Sequence, residues 1–169
     1  MKRNVAWSLT ALAVAVVVYA GTLLATPSNP PLFTSPQMLK ATLDEIDLNA
    51  DDHSSGLWRA RIKTKGLTDM YVVTNVWKPG GTTGWHTHPG PSIIMVTAGQ
   101  LTAYDGDDPT CTPHVFSVGA SFLDPGEGHT HVIRNEGTID ASTTAVQFVP
   151  TQAARRIDAP QPVQCPGVL

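Results

Sequence analysis

Apolar and polar residues alternate with a period of two along most of this chain. Leu57 to Thr64 (LWRARIKT) interleaves apolar with basic side chains, as a half-buried strand does. Thr42 to Leu48 alternates more loosely, with Leu43, Ile46 and Leu48 apolar. Tyr71 to Trp77, Leu101 to Tyr104, His114 to Val118, Ser121 to Leu123, Thr130 to Arg134 and Ser142 to Val149 are further short β-rich runs. Ser92 to Thr97 (SIIMVT) is denser in apolar residues and predicts a strand buried on both faces. Gly99-Gln100 and Asp105 to Pro109 read as turns. A helix is expected only as a short one near Ser35 to Ala41. Many short strands with closely spaced turns predict an all-β sandwich or barrel. No Cys…Trp…Cys pattern supports an immunoglobulin domain. A double-sheet jelly roll, whose cavity can hold a ligand, is the other common solution.

The first 25 residues break the pattern. After the basic start Met1-Lys2-Arg3, Val5 to Ala25 runs without a charge. Two readings stay open. One is a signal peptide cleaved near Val18-Tyr19-Ala20. The other is an uncleaved transmembrane anchor: 21 residues of helix reach about 31 Å, close to the hydrocarbon thickness. Lys2 and Arg3 would then stay cytoplasmic. Both place the domain outside the cytoplasm, either membrane-anchored or periplasmic/secreted. The chain thus divides into 1–25 (leader or anchor), 26–36 (a Pro- and Ser-rich linker), 37–150 (the β domain) and 151–169 (a Pro-rich tail).

Beyond Lys2 and Arg3, nine of the 11 basic residues face all 14 acidic ones, a net charge of about −5. Arg155-Arg156 is only a pair and forms no basic stripe. This argues against nucleic acid as the partner. Membrane contact is expected only through the N-terminal helix, if uncleaved. Outside the cytoplasm an even cysteine count suggests pairing. Cys111 and Cys165 are expected to form a disulfide that pins the tail to the domain.

His86 and His88 carry the candidate chemistry. In a strand, residues i and i+2 point the same way, about 6.6 Å apart. Two imidazoles at that spacing can converge on one metal ion, with Trp85 and Thr87 facing the other side. Their surroundings resemble the cupin superfamily. Its first motif is Gly, five residues, His-x-His, three or four residues, Glu, six residues, Gly. Here Gly80, His86-Thr87-His88 and Gly99 fall in step, and Ser92 stands at the Glu position. The second motif is Gly, five residues, Pro-x-Gly, two residues, His, three residues, Asn. Gly119, Pro125, Gly128, His131 and Asn135 follow it, with one residue extra between Pro125 and Gly128.

The resemblance implies a cupin-type double-stranded β-helix with a divalent metal held by His86, His88 and His131. The metal's identity stays open among Fe, Mn, Zn, Ni and Cu. Ser92 cannot replace a carboxylate ligand, so three neutral imidazoles would leave a site of formal charge +2. His129 and Glu127 are candidate replacements for the missing ligand. Ser92, Tyr104 and Gln147 are candidate pocket residues, and His53 and His114 are expected at the surface. The resemblance further implies a small-molecule ligand and, by analogy, a homodimer. The expected function is metal-dependent chemistry of oxygenase, isomerase or hydrolase type. The alternative is a non-enzymatic module that binds or senses a small ligand or metal.

Overall fold

The computed structural model describes residues 24–169. The apolar stretch read as a leader or an anchor helix lies almost wholly outside them. Among the described residues there is no α-helix, and the chain is twelve β-strands in two five-stranded antiparallel sheets and one hairpin. The first sheet runs β1 (Phe33–Leu43), β4 (Thr68–Trp77), β11 (Ala141–Pro150), β6 (Ser92–Ala98), β9 (Ser121–Asp124). The second runs β12 (Ile157–Asp158), β5 (His86–Thr87), β10 (His131–Arg134), β7 (Gln100–Asp105), β8 (His114–Ser117). The hairpin pairs β2 (Asp47–Asp51) with β3 (Arg59–Lys63). This is the all-β jelly-roll architecture expected of the alternation.

The sheets close on a core at one end. Trp77, Val96, Leu101, Ile133 and Ala141 are buried together, with Phe33, Ala103, Phe116 and Phe122 against them. Toward the other end the inward residues of β11 become small or polar: Thr143, Ala145, Gln147. They do not fill the space between the sheets, and a cavity remains there.

Four local expectations are corrected. Ser35 to Ala41 is strand, part of β1, because the register from Gln37 to Leu43 lets it pair along β4. Thr42 to Leu48 is two strands, broken at Asp44–Ile46 where the chain leaves the sheet for the hairpin. In β6 only Ser92, Ile94 and Val96 are buried; Ile93 and Met95 are half exposed. Apolar residues thus sit on both faces, but only the inner face is covered. Ile93 joins Leu39, Val72, Val146 and Leu123 in a row across the sheet. Finally, residues 26–36 are laid against the domain rather than free. Thr26 donates its backbone N–H to Ala159, and Asn29 donates to Thr82. Gly84, at φ 67°, lies so close that a Cβ there would stand 2.1 Å from the Thr26 carbonyl oxygen.

The C-terminal segment is also part of the fold. Cys111 and Cys165 stand at disulfide-bonding distance. Cys165 is buried with Trp85 and Val132 in a second cluster outside the second sheet. Trp85 donates its indole N–H to the Val168 carbonyl at 2.9 Å.

Candidate metal centre

β5 and β10 bring the histidines together. His86 pairs directly with His131 across these antiparallel strands, and His88 follows β5 immediately. The strand is only two residues long, yet His86 and His88 converge with ring centroids 4.8 Å apart. His131 is 4.4 Å from His86 and 5.6 Å from His88 by the same measure. All three are buried, and one nitrogen from each lies within 4.8 Å of the others.

Hydrogen bonds fix how two of these rings are protonated. His86 Nδ1 donates to the Gly84 carbonyl at 2.9 Å and His88 Nδ1 to the Arg155 carbonyl at 2.6 Å. A carbonyl only accepts, so the proton sits on Nδ1 and the Nε2 lone pair is free for a ligand. His131 Nδ1 is buried without a hydrogen-bond partner.

Burial pushes His88 and His131 each down to about 4, with charge on neighbouring histidines adding to the effect. His86 is lowered well below its ordinary value, first by burial and then by the His131 charge. The cluster is therefore neutral at pH 7, as metal binding requires. One consequence concerns the metal-free protein. Its unfolded chain takes up protons near pH 6.5, whereas the folded cluster resists them until about pH 4. Stability is thus full above pH 6.5 and lost as pH falls through that window, by several kcal/mol on an order-of-magnitude basis. Urea midpoints of chelator-treated protein at pH 7 and pH 4.5 check this; equal midpoints would contradict it.

The remaining candidates separate. Ser92 and Gln147 are buried and line the cavity. Tyr104 does not reach it: its ring packs outside the second sheet, beside Trp85, and its hydroxyl donates to Glu136 at 3.0 Å. Polarity within a β-rich run cannot tell which face a side chain takes. Glu127 is exposed, in a loop outside the histidine cluster. His129 lies outside the His86, His88 and His131 set: its Nε2 is 3.0 Å from Asp105 Oδ2, and its Nδ1, 3.5 Å from Asp124 Oδ1, clusters with Asp124 and His131 instead. Burial alone would lower its pKa, but the hydrogen bond and charge of Asp105, with the charges of Asp124 and Asp107, raise it. His53 and His114 are exposed.

Three residues lay outside the sequence expectations. Arg155 and Arg156 line the cavity from the tail. Arg156 donates to the Thr83 carbonyl at 2.6 Å and pairs with Asp158 at 2.7 Å. Arg155 has no acidic partner among the described residues; its guanidinium donates a hydrogen bond to Gln147 Oε1 at 3.4 Å. Asp124 is buried at the cavity wall, directly across from Ser92 in the β6–β9 register. The Arg-Arg dipeptide was visible in the sequence, but nothing local aimed it inward. Asp124, beside Pro125 of the second motif, was not singled out, because nothing local in the sequence sets it across from Ser92.

Three imidazoles converging in the mouth of a jelly roll form a candidate metal site. Residues 74–147 match the cupin domain family, which supports the cupin superfamily for that segment. Among solved structures it is similar to an oxalate oxidase at 25% identity and TM-score 0.44, covering 52% of this chain and 45% of that one. It is similar to an uncharacterized conserved protein with a double-stranded β-helix domain from Klebsiella pneumoniae. That match has 19% identity, TM-score 0.46, and covers 69% of this chain and 84% of that one. A sugar phosphate isomerase of the cupin superfamily from Silicibacter pomeroyi matches at 22% identity and TM-score 0.42, over 48% and 51% of the two chains. This chain thus spans about half the length of the oxalate oxidase and of the isomerase. A comparison with curated proteins finds no significant match.

Proposed function

We propose that His86, His88 and His131 hold a divalent metal ion and that the cavity beside them receives a small organic anion. The orientation of the imidazoles carries the metal reading: two rings have Nδ1 tied to backbone carbonyls, leaving Nε2 as a free lone pair. A metal there would supply Lewis-acid or redox chemistry to a bound molecule.

Arg155 supports the anion. A partly buried guanidinium without a counter-charge is costly, and a carboxylate ligand would pair with it bidentately. Ser92 and Gln147 add polar contacts, while Val73, Ile94 and Ala145 limit the size of what enters. The cavity is small, about 70 Å³, which suits a molecule of a few heavy atoms. We place the domain outside the cytoplasm, on the charge-free stretch Val5 to Ala25 and the Cys111–Cys165 pairing. A second copy would cover the apolar row Leu39, Val72, Val146, Ile93 and Leu123.

A non-enzymatic binding module is the second reading. Among the described cavity residues, the imidazoles and the Asp124 carboxylate are the acid–base side chains beside the two arginines. If the imidazoles are ligands, few groups remain for acid–base work. Protein made without a His tag is expected to carry about one equivalent of ion. Small mono- and dicarboxylates are expected to raise its melting temperature, and Arg155→Gln to weaken them about tenfold or more. O₂ uptake with those anions then separates oxygenase from binder. Absence of a bound or loadable ion overturns the metal reading; equal anion binding by Arg155→Gln overturns the anion.

A further inference from the structure

Ser92 stands on β6 where cupins carry a carboxylate, but an acid reaches the same part of the cavity from the neighbouring strand. Ser92 and Asp124 are paired residues of antiparallel β6 and β9. Paired side chains share a sheet face, with Cβ atoms about 5 Å apart. Asp124 is 4% exposed. Its Oδ1 accepts the Gly126 backbone N–H at 3.0 Å, whereas Oδ2 is buried without any hydrogen-bond partner. The turn that aims it is fixed by Gly126, at φ 74°, where a Cβ would meet the Gly90 backbone at 2.5 Å.

We propose that Asp124 is the fourth protein ligand of the metal site, its Oδ2 taking the coordination position that Ser92 leaves open. This rests on the three-histidine reading above. Asp124 Oδ2 lies 3.9 Å from His88 Nε2, the nitrogen left unprotonated by the bond to Arg155. Asp124 Oδ1 lies 3.8 Å from His131 Nδ1 and 3.5 Å from His129 Nδ1, neither of which has a hydrogen-bond partner. At His88 Nε2 a carboxylate lone pair and an imidazole lone pair face one another, and they repel unless a cation sits between them. Ligand atoms around one ion stand roughly 3–3.5 Å apart, given metal–ligand bonds of about 2.1 Å. Closing the gap to His88 needs a shift of well under 1 Å on that estimate; Asp124 stands beyond 4.8 Å from at least one other nitrogen of the three-histidine set, so completing the site needs a larger movement of the β9 turn. The acid also lowers the formal charge of the site from +2 to +1, and adds the hard oxygen that suits Mn(II) or Fe(II).

The test is Mn(II) binding at pH 7, read from the electron paramagnetic resonance of the free ion. Wild type is expected to bind one equivalent. Asp124→Asn keeps an acceptor for Gly126 and is expected to bind at least about 10–100-fold more weakly, the loss that even outer hydrogen-bonding partners cause. Adding Ser92→Glu to that variant is expected to restore affinity. At saturating Co(II), the visible spectrum of Asp124→Asn should also differ from wild type; an Asp124 that merely steadied His131 would leave it in place. If Asp124→Asn does not fold, Asp124→Cys loaded with Co(II) should show a near-ultraviolet thiolate charge-transfer band. Its absence overturns the proposal. So does wild-type Mn(II) affinity in Asp124→Asn when His86→Ala has lost it. Wild-type affinity in His86→Ala overturns the three-histidine reading itself.

Discussion

Replacing His86 with alanine is expected to abolish the thermal stabilisation that divalent ions give the protein, a shift of about 5–10 °C. A ligand held only by the folded state stabilises by about 2.7 kcal/mol at a hundredfold excess over its Kd. For a chain of 169 residues, about 2–4 °C of melting temperature accompanies each kcal/mol. His86 is the informative choice because it stands directly opposite His131 and touches both other rings. Among the described residues, its ring hydrogen-bonds only the Gly84 carbonyl. In the metal-free protein its removal relieves a buried, imperfectly satisfied imidazole, so the metal-free melting temperature is expected to change little. The two measurements therefore separate. A lost ion-dependent shift with an unchanged baseline marks a ligand; a lowered baseline with the shift intact marks a structural histidine. Melting curves with chelator and with each of Mn(II), Fe(II), Co(II), Ni(II) and Zn(II) give both numbers.

The legible part of this protein was what repeats or sits in a motif. Alternation announced the sheets, and His86, His88 and His131 lay in a spacing that needed no structure to be singled out. What escaped depends on partners distant in sequence. Ser35 to Ala41 is a strand because β4 lies beside it, and its own residues do not say so. Ile93 and Met95 are as apolar as Ile94, but the sheet's outer face has no cover among the described residues. Asp124 lies 32 positions beyond Ser92, and only the antiparallel register of β6 and β9 sets them side by side. Arg155 belongs to a Pro-rich segment that reads as a tail until its carbonyl is seen to hold His88. In each case the missing information was pairing, which local periodicity does not carry.

That tail carries the second large effect. Reduction and alkylation, or Cys111→Ser, is expected to lower stability by about 2–4 kcal/mol and metal affinity by about 10–100-fold. Cys111 and Cys165 are 54 positions apart, and closing a loop of that size removes about 4 kcal/mol of unfolded-chain entropy in the simplest treatment. The coupling to metal follows from what the link secures. Cys165 is buried against Trp85, whose indole reaches the Val168 carbonyl; Ala159 donates to Trp85 and accepts from Thr26. These contacts hold both flanks of β5, the strand that presents His86. The same segment supplies the carbonyl that fixes the tautomer of His88, and the two arginines that face the cavity. Without the link, tail contacts must hold by non-covalent bonds alone. His88 should then sample orientations in which Nε2 turns from the site. Parallel urea titrations and metal titrations of oxidised and alkylated protein measure both losses. Loss of stability with metal affinity unchanged would show that the tail braces the fold without shaping the site.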